Sequence, residues 1–303
     1  QYGCGFCKTM TTFVPVSIRK CSLKLTEMRL EADKNYIYKM RIVIIGAGNV
    51  ATHFALALSL AGMPPTQIWS RTMESAQTLA ERVGCRATNC LDDIIADADA
   101  CIISVKDRYV RDIADRVCRE RPKTVFVHTS GSVGMDVFDG LSDNCGVLYP
   151  MQTFSKDKAL DFKKIPCFVE GNNEASRETI MKLASTISDN VHYMTSDDRK
   201  WLHLAAVFAC NFSNACYVVA DGILRRNGLD FTVLRPLIEE TVSKLGTLAP
   251  IDAQTGPAVR GDQNIMDSQA AMLADNESLQ KLYIKMSEII AQQQSNKNVE
   301  SGK

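Results

Sequence analysis

The run RIVIIGAGNVA from Arg41 to Ala51 constrains the fold more than any other stretch of the chain. Residues 42–45 are a short apolar run, which suits a strand buried on both faces. Gly46, Gly48 and Ala51 follow at once in the spacing G-x-G-x-x-A, and residues 50–61 then read as a helix. That is the strand, turn and helix order a dinucleotide fingerprint needs. Gly46 permits the tight turn, Gly48 lets backbone approach a pyrophosphate, and Ala51 lets the helix pack close to the strand. The free N–H groups of Ala47, Gly48, Asn49 and Val50 and the positive helix end would hold the phosphates.

The chain continues in alternation. Pro64 and Pro65 mark a loop, and residues 67–70 give a second strand. Enzymes that use NAD place an acidic residue at its end, about 20 residues past the glycines, on the ribose 2′-OH. Here Ser70, Arg71 and Thr72 stand there instead. A guanidinium and two hydroxyls attract a 2′-phosphate that a carboxylate would repel, so NADP is expected over NAD. Thr72 also suits the cap of the next helix, and both roles can hold together.

Further strands are expected near 86–88, 100–105, 124–129, 146–149, 167–170 and 191–194. Helices lie between most of them, and a brief one is expected at 91–95. The expected class is α/β, a doubly wound parallel sheet. From Thr195 the pattern becomes helical. A run of about 30 residues reaches Arg226, and Asn227 and Gly228 stop it. It is apolar nearly all round, so it should be buried between helices or against a second subunit. His203, Asn211, Ser213, Asn214 and Asp221 inside it argue against a membrane span. Further helices are expected at about 231–248, 264–273 and 277–293.

Composition narrows the class. The 303 residues suggest about two domains. Lys plus Arg equals Asp plus Glu at 35 each, with no basic stripe, so neither nucleic acid nor a membrane surface is an expected partner. The eleven cysteines are scattered without a framework of spacings, which reads as reduced thiols in the cytoplasm. Cys4 and Cys7 form a lone C-x-x-C with no second half, so no metal is expected. Residues 1–39 read as a disordered extension, with Met40 as a possible native start. The expected division is a nucleotide domain at 40–195, a helical substrate and dimerisation domain at 196–294, and a disordered tail at 295–303.

This organisation resembles a superfamily that contains pyrroline-5-carboxylate reductase, prephenate dehydrogenase and the 3-hydroxyacid dehydrogenases. It is most similar to a less characterised family of NADP-dependent oxidoreductases, which pair a Rossmann-like domain with a helical domain of unknown function. The matching stretches are IIGAGNVA ending at Ala51, VHTSGS ending at Ser132, LYPMQTF ending at Phe154, HLAAVFACN from His203 to Asn211, and QTGPAVRGD ending at Asp262. The resemblance implies a helical domain like the carboxyl-terminal one of 6-phosphogluconate dehydrogenase, and a homodimer packed through it. It also implies that Val105 and Lys106 lie near the cofactor's nicotinamide ribose, as in the reductase's Val-Lys-Pro, with Asp107 replacing the proline. Tyr149 stands where prephenate dehydrogenases carry a histidine before Pro-Met. The reductase's Ser-Gly-Ser-Gly-Pro-Ala stretch is missing.

Hydride transfer needs a proton donor or acceptor beside the substrate. His203 is the first catalytic candidate, on the helix expected to line the interdomain cleft, with a core histidine as the plainer alternative. Asn211 is the second, about 12 Å along an α-helix and ~80° round it. Ser130, Gly131 and Ser132 form a polar loop that could take a substrate carboxylate or the nicotinamide amide, or be an ordinary turn. Arg260 could clamp a carboxylate or simply pair with Asp262. The expected function is hydride transfer between NADP and a small C=O or C=N compound. Pyrroline-5-carboxylate reductase itself and a non-catalytic NADP(H) sensor are the alternatives.

Overall fold

The computed structural model describes residues 40–300, and side chains to 299. The expectations for residues 1–39 and for 301–303 lie outside these. The described residues fall into two compact units, one ending at Ser213 and one starting at Asn214.

The first unit is an eight-stranded sheet in the order β3-β2-β1-β4-β5-β6-β7-β8. The strands are β1 (Ile42–Ile45), β2 (Gln67–Trp69), β3 (Arg86–Thr88), β4 (Ala100–Ile103), β5 (Val125–His128), β6 (Cys145–Pro150), β7 (Cys167–Gly171) and β8 (Val191–Tyr193). Helices α1 (Asn49–Leu60), α2 (Met73–Val83), α3 (Val110–Cys118) and α4 (Glu174–Ile187) connect them. Alternate residues of β1 divide the core. Ile42 and Ile44 join Phe54, Leu58, Ile68 and Leu183 on one face. Val43 and Ile45 join Val110, Ala114 and Val117 on the other. A strand covered on both faces must be apolar at every position, which is why residues 42–45 show no alternation.

Local signals fix the helix ends. The Thr72 hydroxyl accepts from Ser75 N–H at the start of α2, and Gly84 closes it in the left-handed conformation at φ 70°. Asn173 caps α4 through Ser176 N–H. The expected helix at 91–95 is only a series of turns. The sheet departs from the all-parallel expectation at one place: β7 runs antiparallel to β6, with Tyr149 opposite Phe168 and Val147 opposite Glu170. The connection 151–166 contains only a three-residue 3-10 turn, so no helix carries the chain back across the sheet face. Parallel pairing returns between β7 and β8, across α4.

The chain is helical from Ser196 to Arg226. It comprises α5 (Ser196–Ala206), a π-helical stretch (Val207–Phe212) and α6 (Ser213–Arg226). By length and composition alone this helix could cross a bilayer. Other helices of the same chain do not cover its apolar residues, the first of the two expected ways of burying them: Trp201, Phe208 and Val218 are all exposed.

The second unit continues with α7 (Arg235–Lys244), α8 (Pro250–Ala253), α9 (Pro257–Arg260), α10 (Gln263–Ala271) and α11 (Glu277–Glu300). A proline within the helix expected at 231–248 would disturb its interior, but Pro236 sits in the first turn of α7, where its missing N–H costs nothing. The final helix runs past residue 295, so residues 295–300 continue α11 rather than forming an irregular tail.

Candidate active site

Strand order reverses between β1 and β4, and the crevice outside their carboxyl ends is where open α/β sheets hold ligands. A cavity of about 830 Å³ opens there. Gly46 turns the chain out of β1 with φ 132°, and its N–H donates to Trp69 O. A Cβ at Gly46 would lie 2.0 Å from Ser104 O, so the turn can close against the end of β4 only without a side chain.

Gly48 is the N-cap of α1. No side chain caps that end, and no acidic residue stands in its first turn. A Cβ at Gly48 would meet no protein atom within 4 Å. The helix therefore offers free N–H groups and its positive end to a space that backbone borders, which fits a pyrophosphate.

The cavity is lined at one end by Ser70, Arg71, Ser75, Tyr109 and Arg116. The Arg71 guanidinium sits 5.9 Å from the centre of the Tyr109 ring, and Arg108 packs on the same ring at 4.7 Å. Ala47, Asn49, Val50, Val105 and Lys106 line the middle. Thr72 is not in the lining, because its hydroxyl is used by the cap. Asn49 Nδ2 donates to Phe154 O, and His53 Nε2 lies 2.9 Å from Ser155 O, so α1 pins the loop after β6 over the cavity.

Ser130, Gly131, Tyr149, Gln152 and His203 line the other end. Tyr149 Oη lies 3.2 Å from His203 Nδ1. A Cβ on Gly131 would meet His203 Nδ1 at 2.5 Å and Tyr149 Cζ at 2.9 Å. Gly131 therefore lets the two rings meet. Burial pushes the Tyr149 phenol above its ordinary value, and the Arg199 charge opposes that shift. A phenol so placed keeps its proton near neutrality.

The hydroxyls of the serine loop are already committed. Ser130 Oγ accepts from the N–H groups of Ser132 and Val133. Ser132 Oγ donates to Asp107 Oδ2 at 2.5 Å, which leaves the Ser130 proton for Ser132 Oγ at 3.3 Å. In this arrangement neither hydroxyl has a proton for a carboxylate, and the loop reads as a turn whose backbone shapes the site. Ser132 itself is not in the lining.

Two other candidates stand elsewhere. Asn211 is exposed in the π stretch and does not line the cavity. The wider π turn rotates less per residue, so the ~80° offset expected for an unbroken α-helix does not apply. Arg260 Nε donates to Asp262 Oδ2 at 2.8 Å within the second unit. That is the local pair offered as the alternative to a carboxylate clamp.

His128 is fully buried. Its Nδ1 accepts from Ser130 N–H, so Nε2 carries the proton toward Gly134 O. Desolvation, with Arg199 nearby, pulls its pKa down to about 4. It is a neutral structural ring.

Sequence reading missed two features. The pairing of Tyr149 with His203 had one signal, the tyrosine in place of histidine before Pro150. The buried ion pair of Glu170 with Arg199 had none, since neither stands in a motif.

Comparison with known proteins supplies an independent view. A family model described as NADP oxidoreductase, coenzyme F420-dependent, matches residues 41–130. A domain of unknown function, DUF2520, matches residues 165–290. A search of curated proteins finds no match. Among solved structures, a candidate NADP oxidoreductase from Bacteroides fragilis is 42% identical. The alignment covers 84% of this chain and 99% of that one, with a TM-score of 0.81. A Thermotoga maritima protein is 23% identical over 85% of this chain and 99% of its own, at 0.65. The imine reductase from Myxococcus stipitatus, solved with NADP+, is 16% identical over 86% and 95%, at 0.61. The last two share the fold.

Proposed function

The chain belongs to a family of NADP oxidoreductases with NADP as cofactor, and from that premise we propose that it transfers a hydride between NADP(H) and a small C=O or C=N compound, with Tyr149 and His203 handling the proton. The observation that carries this reading is the 3.2 Å approach of Tyr149 Oη to His203 Nδ1 at the end of the cavity away from Arg71. Gly46, Ala47, Gly48, Asn49 and Val50 would hold the pyrophosphate. Ser70 and Arg71 would hold the 2′-phosphate, and Val105 and Lys106 border the nicotinamide half. The bound cofactor supplies the hydride.

The residues supply the rest. With a proton on His203 Nδ1, that N–H donates to the phenolic oxygen and leaves the Tyr149 O–H free for substrate oxygen or nitrogen. As the phenol gives its proton to the substrate, the His203 Nδ1–H hydrogen bond would steady the phenolate left behind, which regains its proton from solvent after product leaves.

Purified full-length protein with NADPH, offered ketones, keto-acids and cyclic imines, tests this. Turnover is expected with at least one class. Tyr149→Phe and His203→Ala should lower it by roughly 10²–10⁴-fold with NADPH affinity unchanged. Absence of turnover across the panel, or unchanged rates in both variants, contradicts the reading.

We further propose that the working form is a homodimer joined through the helical unit. In that unit Ala258 and Ala270 are the buried apolar residues, while Val218, Leu229, Leu237, Val242 and Met272 are exposed. A set of helices with so little interior needs an apolar partner, and a second copy presents the same surface to it. Free thiols such as Cys85 and Cys90 suit a reducing compartment, and we place the protein in the cytoplasm.

A further inference from the structure

Arg199 is among the largest fully buried side chains of the molecule, at 1% exposure, and its partner Glu170 is 7% exposed. Burying two charges costs more than their attraction returns unless the geometry is good and further hydrogen bonds complete it. Here they do. Arg199 Nη1 meets Glu170 Oε2 at 2.9 Å, and Nη2 donates to Val133 O at 2.7 Å and to Ser196 Oγ at 3.1 Å. Ser196 Oγ donates to Glu170 Oε2 at 2.6 Å and accepts from Met135 N–H. Ser196 N–H donates to Glu170 Oε1 at 3.0 Å. Within this network Arg199 Nε is buried without a partner.

This network ties three elements that build the Tyr149–His203 pair. Glu170 lies on β7 opposite Val147, two residues from Tyr149 and therefore on the same sheet face. Val133 and Met135 follow Gly131, on which both rings close. Arg199 and His203 are one turn apart on α5, so they share a helix face. An apolar side chain of similar size could fasten the same elements without the cost of burying charge. What it would lack is a positive charge that acts on the Tyr149 phenol.

We propose that Arg199, held by Glu170, is a positioning residue for the Tyr149–His203 pair: it sets α5 so that His203 faces Tyr149 over Gly131. The proposal rests on the reading of that pair as the proton carrier. Arg199 opposes the effect of burial on Tyr149, and Cys210 from the π stretch acts in the opposite sense. Among the described residues, these two and His203 are the titratable or charged groups that act on the ring.

The test follows Tyr149 itself. In the full-length protein, 3,5-difluorotyrosine placed at position 149 ionises nearer neutrality and can be titrated by fluorine NMR. Replacing both charges, Arg199→Gln with Glu170→Gln, should raise the midpoint by about one pH unit, a tenfold change in the proton equilibrium. Glu170→Gln alone leaves the cation without its counter-charge and should lower the midpoint. Arg199→Lys should stay close to the parent. A midpoint that does not move in the paired variant, with NADPH affinity intact, overturns the proposal. Should the paired variant fail to fold, Glu170→Gln decides: a fall supports the proposal, and no change overturns it. Failure of the functional reading would look different: no substrate class would turn over, or Tyr149→Phe would keep the parent's rate, whatever this titration shows.

Discussion

Gly131 is small because two rings occupy the space its side chain would need. Gly131→Ala would place a Cβ 2.5 Å from His203 Nδ1 and force the imidazole off Tyr149. We expect turnover to fall tenfold or more with NADPH affinity unchanged, as steady-state kinetics and a binding titration would show. At the other end of the cavity, Arg71→Ala should weaken NADPH by about ten- to a hundredfold, the weight of one or two charge-assisted hydrogen bonds, and leave NADH unaffected. Equal losses for both coenzymes in a fluorescence titration would contradict the 2′-phosphate role. His128 makes a pH prediction. Its folded pKa of about 4 lies below the ordinary 6.5, so the unfolded chain takes up the proton first as pH falls. Its contribution is intact above pH 6.5 and is lost progressively down to about 4, amounting to about 3 kcal/mol. Melting curves between pH 7 and 4.5 should drop less steeply in His128→Gln. That Gly46, Gly48, Ser70, Arg71 and His203 line one cavity was legible because a motif or a helix position singles them out. Arg199 was not, because nothing in a sequence marks which arginine will find a buried carboxylate.

Elements were legible where chemistry punctuates the chain. Thr72, Gly84 and Thr195 stand at helix ends as their residue types demand. The direction of β7 was hidden, because a buried apolar run reads the same for either pairing. The π stretch was hidden for a similar reason, since its apolar residues suit both helix types. The antiparallel pair now explains Gly146. A Cβ there would lie 2.0 Å from Glu170 O and 2.4 Å from Ile180 Cδ1. The first contact is backbone held in the ladder, so it cannot swing aside. Gly146→Ala should destabilise the protein by about 1–3 kcal/mol, read as a lowered melting temperature. A melting temperature equal to the parent's would show that β6 and β7 do not approach in this way.

At the scale of the molecule, the two units differ in how they are stabilised. The first has a core on each face of its sheet. The second buries little and leaves large apolar side chains such as Leu237 and Met272 in solvent. Sedimentation equilibrium should therefore give twice the chain mass, and a monomer at micromolar concentration would contradict the proposed dimer. A crystal structure of the full-length protein with NADP+ would show whether the crevice at the strand-order reversal orients NADP between Arg71 and the Tyr149–His203 pair. We expect the pyrophosphate over Gly46–Val50, the 2′-phosphate at Arg71, and the nicotinamide beside Tyr149 and His203. A nicotinamide remote from both rings, or a 2′-phosphate away from Arg71, would contradict that arrangement.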